Sequence, residues 1–325
     1  MKSAIKPVIL VTRRLPAAVE ARLSRNFTPL LNPDDHLPGA EEILANSKGA
    51  DGLLVTITDR IDRALIERLP KTVGIIATFS VGYEHIDVAS ARERGITVTN
   101  TPGVLTDATA ELAILLLLGA ARGAGNGEAV IRNARWDSWA PTGMLGVQMS
   151  GKRLGIFGMG AIGRALARRA RAFDMPIHYH NRHRLPSDLE QGAIYYPRLE
   201  DMLPVCDFLS VNCASTPQTR FALNAARLAL LPRGAVVVNT ARGDIVDEAA
   251  LMAALNSGQL TGVGLDVYQA EPQINPLWRA TKNSFLLPHL GSATFETRAA
   301  MGFKALDNLE AFFAGREPPD SIGQI

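Results

Sequence analysis

The stretch Leu154–Phe173, LGIFGMGAIGRALARRARAF, decides the fold. It carries the pattern G-x-G-x-x-G at Gly158, Gly160 and Gly163, directly after an apolar run typical of a buried strand. A helical pattern with an apolar face follows the third glycine. Strand, glycine turn and helix in this order predict a dinucleotide-binding unit, in which the start of the helix faces a pyrophosphate.

Each residue of the turn has its own predicted task. Gly158 permits a tight turn, and Gly160 lets the backbone approach the pyrophosphate, while Gly163 allows close packing of helix on strand. Ala161 and Ile162 begin the helix whose N-terminus faces the anion, so they are candidate cofactor-binding residues. The alternative is a glycine turn that binds no ligand.

The next strand-like run ends in the segment Ile177–Arg184, IHYHNRHR. An NAD site usually has an acid here that binds the ribose 2′-hydroxyl. This segment has Arg182 and Arg184 instead, which predict pairing with a 2′-phosphate and hence NADPH as the preferred cofactor, with NADH still possible. The alternative is that the arginines form a solvated face. His178 and His180 share one face of the strand, but without a third ligand they predict no metal site.

Strand-like and helical patterns alternate on both sides of this unit. KPVILVT, DGLLVTIT, VGIIATFS and ITVTNT precede it, and CDFLSVNC, GAVVVNT, TGVGLDV and SFLLPHL follow. Near-continuous apolar strands between helices predict parallel sheets that are covered on both faces. We therefore expect an α/β protein with two doubly wound parallel-sheet domains.

Composition excludes several classes of function. The chain has 325 residues, 47% of them hydrophobic and 20% charged, with a net charge of +2. This balance predicts neither a nucleic acid nor a membrane as partner. The longest apolar run, Leu112–Ala121, is too short to span a bilayer. Two cysteines in one strand region are no disulfide framework, and with no evident targeting segment they suit the cytoplasm.

Charged side chains follow three of the downstream strands. Arg242 ends GAVVVNTAR, Asp266 and Glu271 lie in GLDVYQAE, and His289 lies in SFLLPHL. The carboxyl ends of parallel strands form the ligand crevice of such sheets. An arginine that holds a carboxylate, a histidine that donates a proton and an acid that orients it would suffice to reduce a 2-keto acid.

Each of these residues also has a structural interpretation. Arg242 could be part of a surface salt bridge, Glu271 a turn residue before Pro272, and His289 a hydrogen-bonded histidine at a strand end. Spacing alone does not decide between these interpretations and the catalytic one.

Longer motifs identify a family. The segments SVGYEHID, GMGAIG, NTARGDIVDEAAL, GVGLDVYQAEP and PHLGSAT occur in this order. Through them the chain resembles the D-isomer-specific 2-hydroxyacid dehydrogenases over essentially its whole length. It is most similar to their glyoxylate/hydroxypyruvate reductases, including the 2-ketogluconate reductase branch, and YHNRHR resembles the strand end of their NADPH-dependent members.

The resemblance implies a role for each matching residue. Arg242 would bind the substrate carboxylate, Glu271 would be the partner acid, and His289 the proton donor and acceptor. The backbone amides of Val81 and Gly82 would also bind the substrate carboxylate. The nicotinamide side would be lined by Thr240, Asp266, His289 and Gly291.

The resemblance also implies a discontinuous architecture. Residues 1–101 and 292–325 would form a flavodoxin-like substrate-binding domain, and residues 102–291 a Rossmann-type dinucleotide-binding domain. Members of the family form homodimers through the long helix and the linker after it. The apolarity of ELAILLLLGAAR would then be due in part to a partner subunit.

The implied function is NADPH-dependent reduction of small 2-keto acids to D-2-hydroxy acids, with hydroxypyruvate and glyoxylate as leading substrates. One departure concerns a tryptophan that some reductases place over the substrate: Gly143 occupies that position here, and a smaller residue would admit longer substrates such as 2-ketogluconate. Two alternatives stay open. The chain could be a non-enzymatic dinucleotide sensor, or an NAD-linked biosynthetic dehydrogenase such as those acting on 3-phosphoglycerate.

Overall fold

The computed structural model of the protein describes residues 6–323. The chain divides into two compact units, one with the residues up to Leu105 and those from Ala293 onward, the other with Thr106–Ser292. The sequence places these boundaries after residues 101 and 291. The ends of its predicted substrate-binding domain, residues 1–5 and 324–325, lie outside the described residues. The assignment of substrate and cofactor to separate domains stays a prediction.

The first unit has a five-stranded sheet with the order β2-β1-β3-β4-β5, in which every neighbouring pair is parallel. This order is that of flavodoxin-like doubly wound sheets. Its strands are β1 (Val8–Val11), β2 (Thr28–Leu30), β3 (Gly52–Val55), β4 (Ile75–Thr78) and β5 (Thr97–Thr99). Its helices before residue 105 are α1 (Ala17–Asn26), α2 (Ala40–Asn46), α3 (Arg63–Arg68) and α4 (Val88–Glu93).

The second unit begins with two helices and continues as a seven-stranded parallel sheet. The helices are α5 (Thr106–Arg122), α6 (Ala124–Arg132), α7 (Ala161–Arg171), α8 (Ser187–Glu190), α9 (Leu199–Met202), α10 (Ala225–Leu228) and α11 (Glu248–Asn256). The strands are β6 (Leu154–Phe157), β7 (Ile177–His180), β8 (Ile194–Tyr196), β9 (Phe208–Val211), β10 (Ala235–Asn239), β11 (Leu260–Leu265) and β12 (Ser284–Leu286). Short 3₁₀ helices lie at Leu203–Val205, Gly243–Ile245 and Pro276–Arg279.

The strand order of this sheet is β12-β11-β10-β9-β6-β7-β8. Numbered within the unit, this is the Rossmann order 3-2-1-4-5-6 with one further strand, and its switch point lies between β6 and β9. Side chains of successive strand residues point to opposite faces, so Val236 and Val238 of β10 pack in one apolar cluster and Val237 in the other. The predicted fold class is confirmed.

Two strands are absent from the sequence prediction. Both β2 and β8 have three residues and lie at an edge of their sheet. The residues of β2 are exposed or half-buried and include Pro29, and those of β8 are likewise not fully buried. These two edge strands lack the long, buried apolar run on which the other strands were predicted.

The final helix, α12 (Phe295–Phe313), returns the chain to the first unit. The side chain of Thr294 caps it by accepting a hydrogen bond from the backbone N–H of Thr297 at 3.1 Å. Its residues Met301, Leu306 and Leu309 are buried against the first sheet. The sequence predicts this helix within one residue of the observed bounds.

The apolar helix α5 is mostly covered by its own unit. Ala113, Leu116, Leu117 and Ala120 are buried, whereas Leu115 is 47% exposed. Most of the apolarity of α5 therefore reflects packing inside the unit, and only side chains such as Leu115 remain for a partner subunit.

Within residues 6–323 no single helix is long and apolar enough to cross a bilayer. The helices α5 and α6, which meet at a bend of 70°, together have the required length and composition. Among residues 6–323 no three His, Cys, Asp or Glu side chains come together as metal ligands.

Candidate active site

The glycine turn between β6 and α7 has the geometry that a bound pyrophosphate requires. Gly158 has φ +99°, and a side chain there would overlap the backbone of Cys213. A side chain at Gly163 would overlap the Gly158 carbonyl, whereas one at Gly160 would meet nothing within 4 Å. The N-cap residue of α7 is Gly160, which has no side chain with which to cap the helix. The residues therefore fit a dinucleotide, because free N–H groups and open space meet at Gly160.

The end of β7 holds this turn in place. The side-chain oxygen of Asn181 accepts a hydrogen bond from the Met159 N–H at 2.7 Å. The carbonyl of His180 accepts another from the Gly158 N–H at 3.0 Å. Asn181 is thus a site residue that the sequence analysis missed, and an amide at the end of the strand after the glycine turn was the available signal.

The two arginines after β7 differ in their contacts. Arg184 donates two hydrogen bonds, of 2.9 and 3.0 Å, to the carboxylate of Glu190. The side chain of Glu190 is only 7% exposed, and it also accepts a hydrogen bond of 2.5 Å from the hydroxyl of Tyr179. Arg182 is exposed, and among residues 6–323 nothing engages its guanidinium. Arg182 is therefore the guanidinium that is available to a ligand.

His289 and Glu271 form a direct pair at the carboxyl ends of β11 and β12. Nδ1 of His289 lies 2.6 Å from Oε2 of Glu271. The other carboxylate oxygen of Glu271 accepts a hydrogen bond of 2.8 Å from the backbone N–H of Tyr268. An ionised carboxylate only accepts, so Nδ1 carries the proton in this contact and Nε2 is left for a substrate.

The environment of Glu271 favours its ionised form. Partial burial alone would raise the pKa of this carboxyl, but hydrogen bonds from His289 and from the Tyr268 N–H oppose it, together with the positive charges of His289 and Arg242. The net effect is a pKa below the ordinary value. Glu271 therefore keeps its negative charge beside the imidazole at neutral pH.

Asp266 holds the backbone from His289 to Gly291. Its two carboxylate oxygens accept hydrogen bonds from the N–H groups of Leu290 at 2.6 Å and Gly291 at 2.8 Å, and its carbonyl accepts one from the His289 N–H at 2.9 Å. Burial raises the pKa of Asp266 to about 6, although the two N–H groups and the charge of His289 oppose this. His289 itself has φ +56°, a left-handed conformation that these contacts hold.

Arg242 lies three residues after the end of β10 and directly precedes the 3₁₀ helix Gly243–Ile245. The turn depends on the buried side chain of Asn239, which accepts a hydrogen bond from the Ala241 N–H at 2.9 Å and donates one to the Arg242 carbonyl at 2.8 Å. Nη1 of Arg242 donates to the Ala241 carbonyl at 2.8 Å. The sequence analysis missed Asn239, whose place as the last residue of a buried strand was the signal.

The remaining candidates of this unit lie at the same sheet edge. The hydroxyl of Thr240 accepts a hydrogen bond from the side-chain amide of Asn212 at 3.2 Å. The carbonyl of Gly291 accepts one from the hydroxyl of Thr109 at 3.0 Å. The second unit thus gathers Arg242, Glu271, His289 and their neighbours at one edge, as the parallel sheet predicts; their individual roles stay predictions.

Val81 and Gly82 belong to the first unit and follow β4. The carbonyl of Val81 accepts a hydrogen bond from the Asn100 side chain at 2.8 Å, and that of Gly82 accepts one from the Ser80 hydroxyl at 2.6 Å. Neither N–H donates to another group in the part of the chain that the structure describes. Their predicted role, donation to a substrate carboxylate, stays a prediction.

Known proteins are similar to this chain in sequence and in fold. The family model for the NAD binding domain of D-isomer specific 2-hydroxyacid dehydrogenases matches residues 114–291. A glycerate dehydrogenase of Hyphomicrobium methylovorum is 42% identical over 96% of this chain and 98% of its own length. A glyoxylate reductase of Thermococcus litoralis is 40% identical over 98% of each chain.

A solved structure is similar along the same length. The NADPH-dependent glyoxylate/hydroxypyruvate reductase of Sinorhizobium meliloti, determined with NADP and malonate, is 36% identical. It superimposes with a TM-score of 0.87 over 98% of this chain and 97% of its own.

Proposed function

The chain belongs to the D-isomer specific 2-hydroxyacid dehydrogenase family, and we propose that it reduces glyoxylate and hydroxypyruvate to D-2-hydroxy acids with NADPH. Its relatives indicate an oxidoreductase of the glyoxylate/hydroxypyruvate reductase type, which uses a nicotinamide dinucleotide. The preference for NADPH and the tasks of single residues are the finer part of the proposal.

The observation that carries the proposal is the contact of 2.6 Å between His289 Nδ1 and Glu271 Oε2. A bound NADPH supplies the hydride for the carbonyl carbon of the keto acid. The carbonyl oxygen then needs a proton, and Nε2 of His289 is the ring atom that can donate it. The negative charge of Glu271 stabilises the protonated imidazole and fixes the direction of its ring, so that the donor is ready when the hydride arrives.

Arg242 is proposed to hold the substrate. A guanidinium donates two parallel hydrogen bonds to a carboxylate, which fixes the direction of the neighbouring keto group as well as its position. Its positive charge also stabilises the negative charge that develops on the keto oxygen during hydride transfer. Asn239 supports this task through its two hydrogen bonds in the turn that bears Arg242.

The proposed preference for NADPH rests on Arg182. Its guanidinium is exposed at the end of β7, and no acid lies between residues 177 and 184 to repel a 2′-phosphate. Arg184 stands in the same turn, but its two hydrogen bonds to Glu190 already use the face that would bind a phosphate. We therefore assign the phosphate contact to Arg182 before Arg184.

Two finer points belong to the linker after α6. Gly143 leaves room where a larger residue would stand, since a side chain there would meet only Ala140, at 3.4 Å and beyond. This favours 2-ketogluconate as an additional substrate.

Trp136, Trp139 and Leu145 are 56%, 76% and 75% exposed, and we propose that a second copy of the chain covers them in a homodimer.

The decisive experiment is a matrix of NADPH and NADH against glyoxylate, hydroxypyruvate and 2-ketogluconate, with the configuration of the product determined. We expect the highest kcat/KM with NADPH and D-products. The glycerate dehydrogenase relative makes the oxidation of D-glycerate a necessary further assay. Tight NADPH binding without turnover would indicate a sensor, and preference for NADH would indicate the biosynthetic type of dehydrogenase. A strong preference for glyoxylate would count against the proposal for Gly143.

A further inference from the structure

The segment that carries Arg242 and the segment that carries Glu271 are joined by one buried carboxylate, that of Glu248. Glu248 is the first residue of α11 and is 6% exposed. Its Oε1 accepts a hydrogen bond of 2.7 Å from the backbone N–H of Gln269, and its Oε2 accepts one of 3.1 Å from Nε1 of Trp278. A buried carboxylate needs such donors, because an unpaired charge in the interior is costly.

The first of these segments runs from Arg242 to Glu248 and touches the second at two further points. A side chain at Gly243 would overlap the backbone of Tyr268, so the two chains are in direct contact there. The side-chain amide of Gln269 donates a hydrogen bond of 2.7 Å to the Val246 carbonyl. The position of Arg242 is therefore tied to the start of the segment that follows β11.

The second segment, residues 268–278, carries Glu271 between its two contacts with Glu248. Gln269 is the anchor on one side, and Trp278, which is buried, is the anchor on the other. Residues 270–273 between them are exposed. Glu271 receives its own hydrogen bond from the N–H of Tyr268, the residue next to the first anchor. With little packing on the exposed part, the anchors decide where the Glu271 carboxylate lies.

We propose that Glu248 is a positioning residue: by holding Gln269 and Trp278 it keeps Glu271 against His289 and in a fixed relation to Arg242. This inference rests on the proposed function, because it assumes that the pair of Glu271 and His289 transfers the proton. Glu248 touches neither member of that pair. Its effect on turnover must therefore pass through the backbone of the second segment.

The experiment compares Glu248→Gln and Trp278→Phe with Glu271→Gln as reference. Gln matches Glu in shape but turns one acceptor into a donor that faces a donor, whereas Phe removes the Nε1–H group together with part of the buried indole ring. Glu67→Gln, an exposed substitution in the first unit, is the matched control. For each variant we would measure kcat and KM for the best keto acid, the Kd of NADPH, Tm, and kcat from pH 5 to pH 10.

Glu248→Gln and Trp278→Phe should each lower kcat by about tenfold, because small displacements of a catalytic group have large effects on rate. The Kd of NADPH should stay within about twofold of the wild-type value. A displaced Glu271 stabilises the protonated imidazole less, so reduction should decline at a lower pH than in the wild type. This shift should have the direction seen for Glu271→Gln and be absent from Glu67→Gln.

A lower Tm with an unchanged kcat and pH profile in both variants would overturn the positioning role and leave the proposed function intact. An unchanged pH profile in Glu271→Gln would instead contradict the proton relay, and this inference would fall with it. If Glu248→Gln does not fold, Trp278→Phe decides alone, since it keeps the buried carboxylate and most of the ring.

Discussion

The carboxyl ends of β10–β12 and of β7 belong to one parallel sheet but hold their charged side chains differently. At the first end, the carboxylates of Asp266 and Glu248 are buried, and each accepts two hydrogen bonds. At the second end, the guanidinium groups of Arg182 and Arg184 are exposed, and within residues 6–323 only that of Arg184 is paired.

The difference separates two kinds of functional group. Buried polar groups must be satisfied inside the protein, so their geometry is set by packing before a ligand arrives. An exposed arginine interacts mainly with the charge of a ligand, and it can be replaced without great loss of stability. The proposed proton transfer thus depends on the preorganised end, and the proposed cofactor choice on the exposed end.

The largest effect should come from removing the proton donor. His289→Asn should lower kcat by a factor of about 10²–10⁴, the usual contribution of a general acid. Asn is the suitable replacement because it tolerates the positive φ of this position, which disfavours Ala. Steady-state kinetics with the best keto acid would measure the loss, and fluorescence titration would show an unchanged Kd for NADPH. Weakened NADPH binding at an unchanged kcat would contradict the assignment.

Next in size is the loss of the forked contact to the substrate. Arg242→Lys keeps the charge but cannot make two parallel hydrogen bonds, so kcat/KM should fall by about 10²-fold. Both a higher KM and a lower kcat are expected, because the contact exists in the ground state and in the transition state. Asn239→Asp is the companion variant, since the Asn239 side chain is buried and shapes the same turn through its two hydrogen bonds. A change in the Kd of NADPH alone would argue against this role.

The exposed end should respond differently to its two arginines. Arg182→Ala should lower the ratio of kcat/KM for NADPH over NADH by about 10–100-fold, the effect of one or two charge-assisted hydrogen bonds. Tm should hardly change. Arg184→Ala should mainly lower Tm, since it leaves the carboxylate of Glu190 with only the Tyr179 hydroxyl. Equal losses of NADPH preference in both variants would show that the Glu190 pair opens when the cofactor binds.

The sequence predicts the interior of both sheets because apolar runs between helices have few other interpretations. It misses the short edge strands β2 and β8, since an edge strand needs neither length nor full burial. It also predicts Arg242, Glu271 and His289 as one group, because the carboxyl ends of parallel strands lie on the same side of the sheet. The contact of His289 with Glu271 is what the structure adds.

The supporting residues are beyond the sequence for a physical reason. Glu248 begins a helix, where an acid usually interacts with the helix dipole in water, so nothing in its position indicates burial. Arg182 and Arg184 are equivalent in the sequence. Only the fold of the turn brings Glu190 to one of them, six residues along the chain. Such roles depend on tertiary contacts rather than on local pattern.

The last prediction concerns stability rather than turnover, and it tests whether burial makes the charge of Asp266 costly. Burial raises the pKa of Asp266 to about 6 from an ordinary value of 3.8, so folding favours its protonated form. This contribution to stability is present below about pH 4 and is lost as the pH rises through 6. Asp266→Asn has no such dependence, although its amide oxygen can still accept one backbone N–H.

Urea unfolding of the wild type and Asp266→Asn at pH 4, 5, 6 and 7 isolates this effect, because the other carboxyl groups cancel in the difference. The wild type should lose stability relative to the variant between pH 4 and pH 6, by at most about 3 kcal/mol for a shift of two pKa units. Above pH 6 the difference should level off. A difference that rises with pH would mean that the N–H groups of Leu290 and Gly291 outweigh burial, and that the carboxylate of Asp266 stabilises the turn of His289 by its charge.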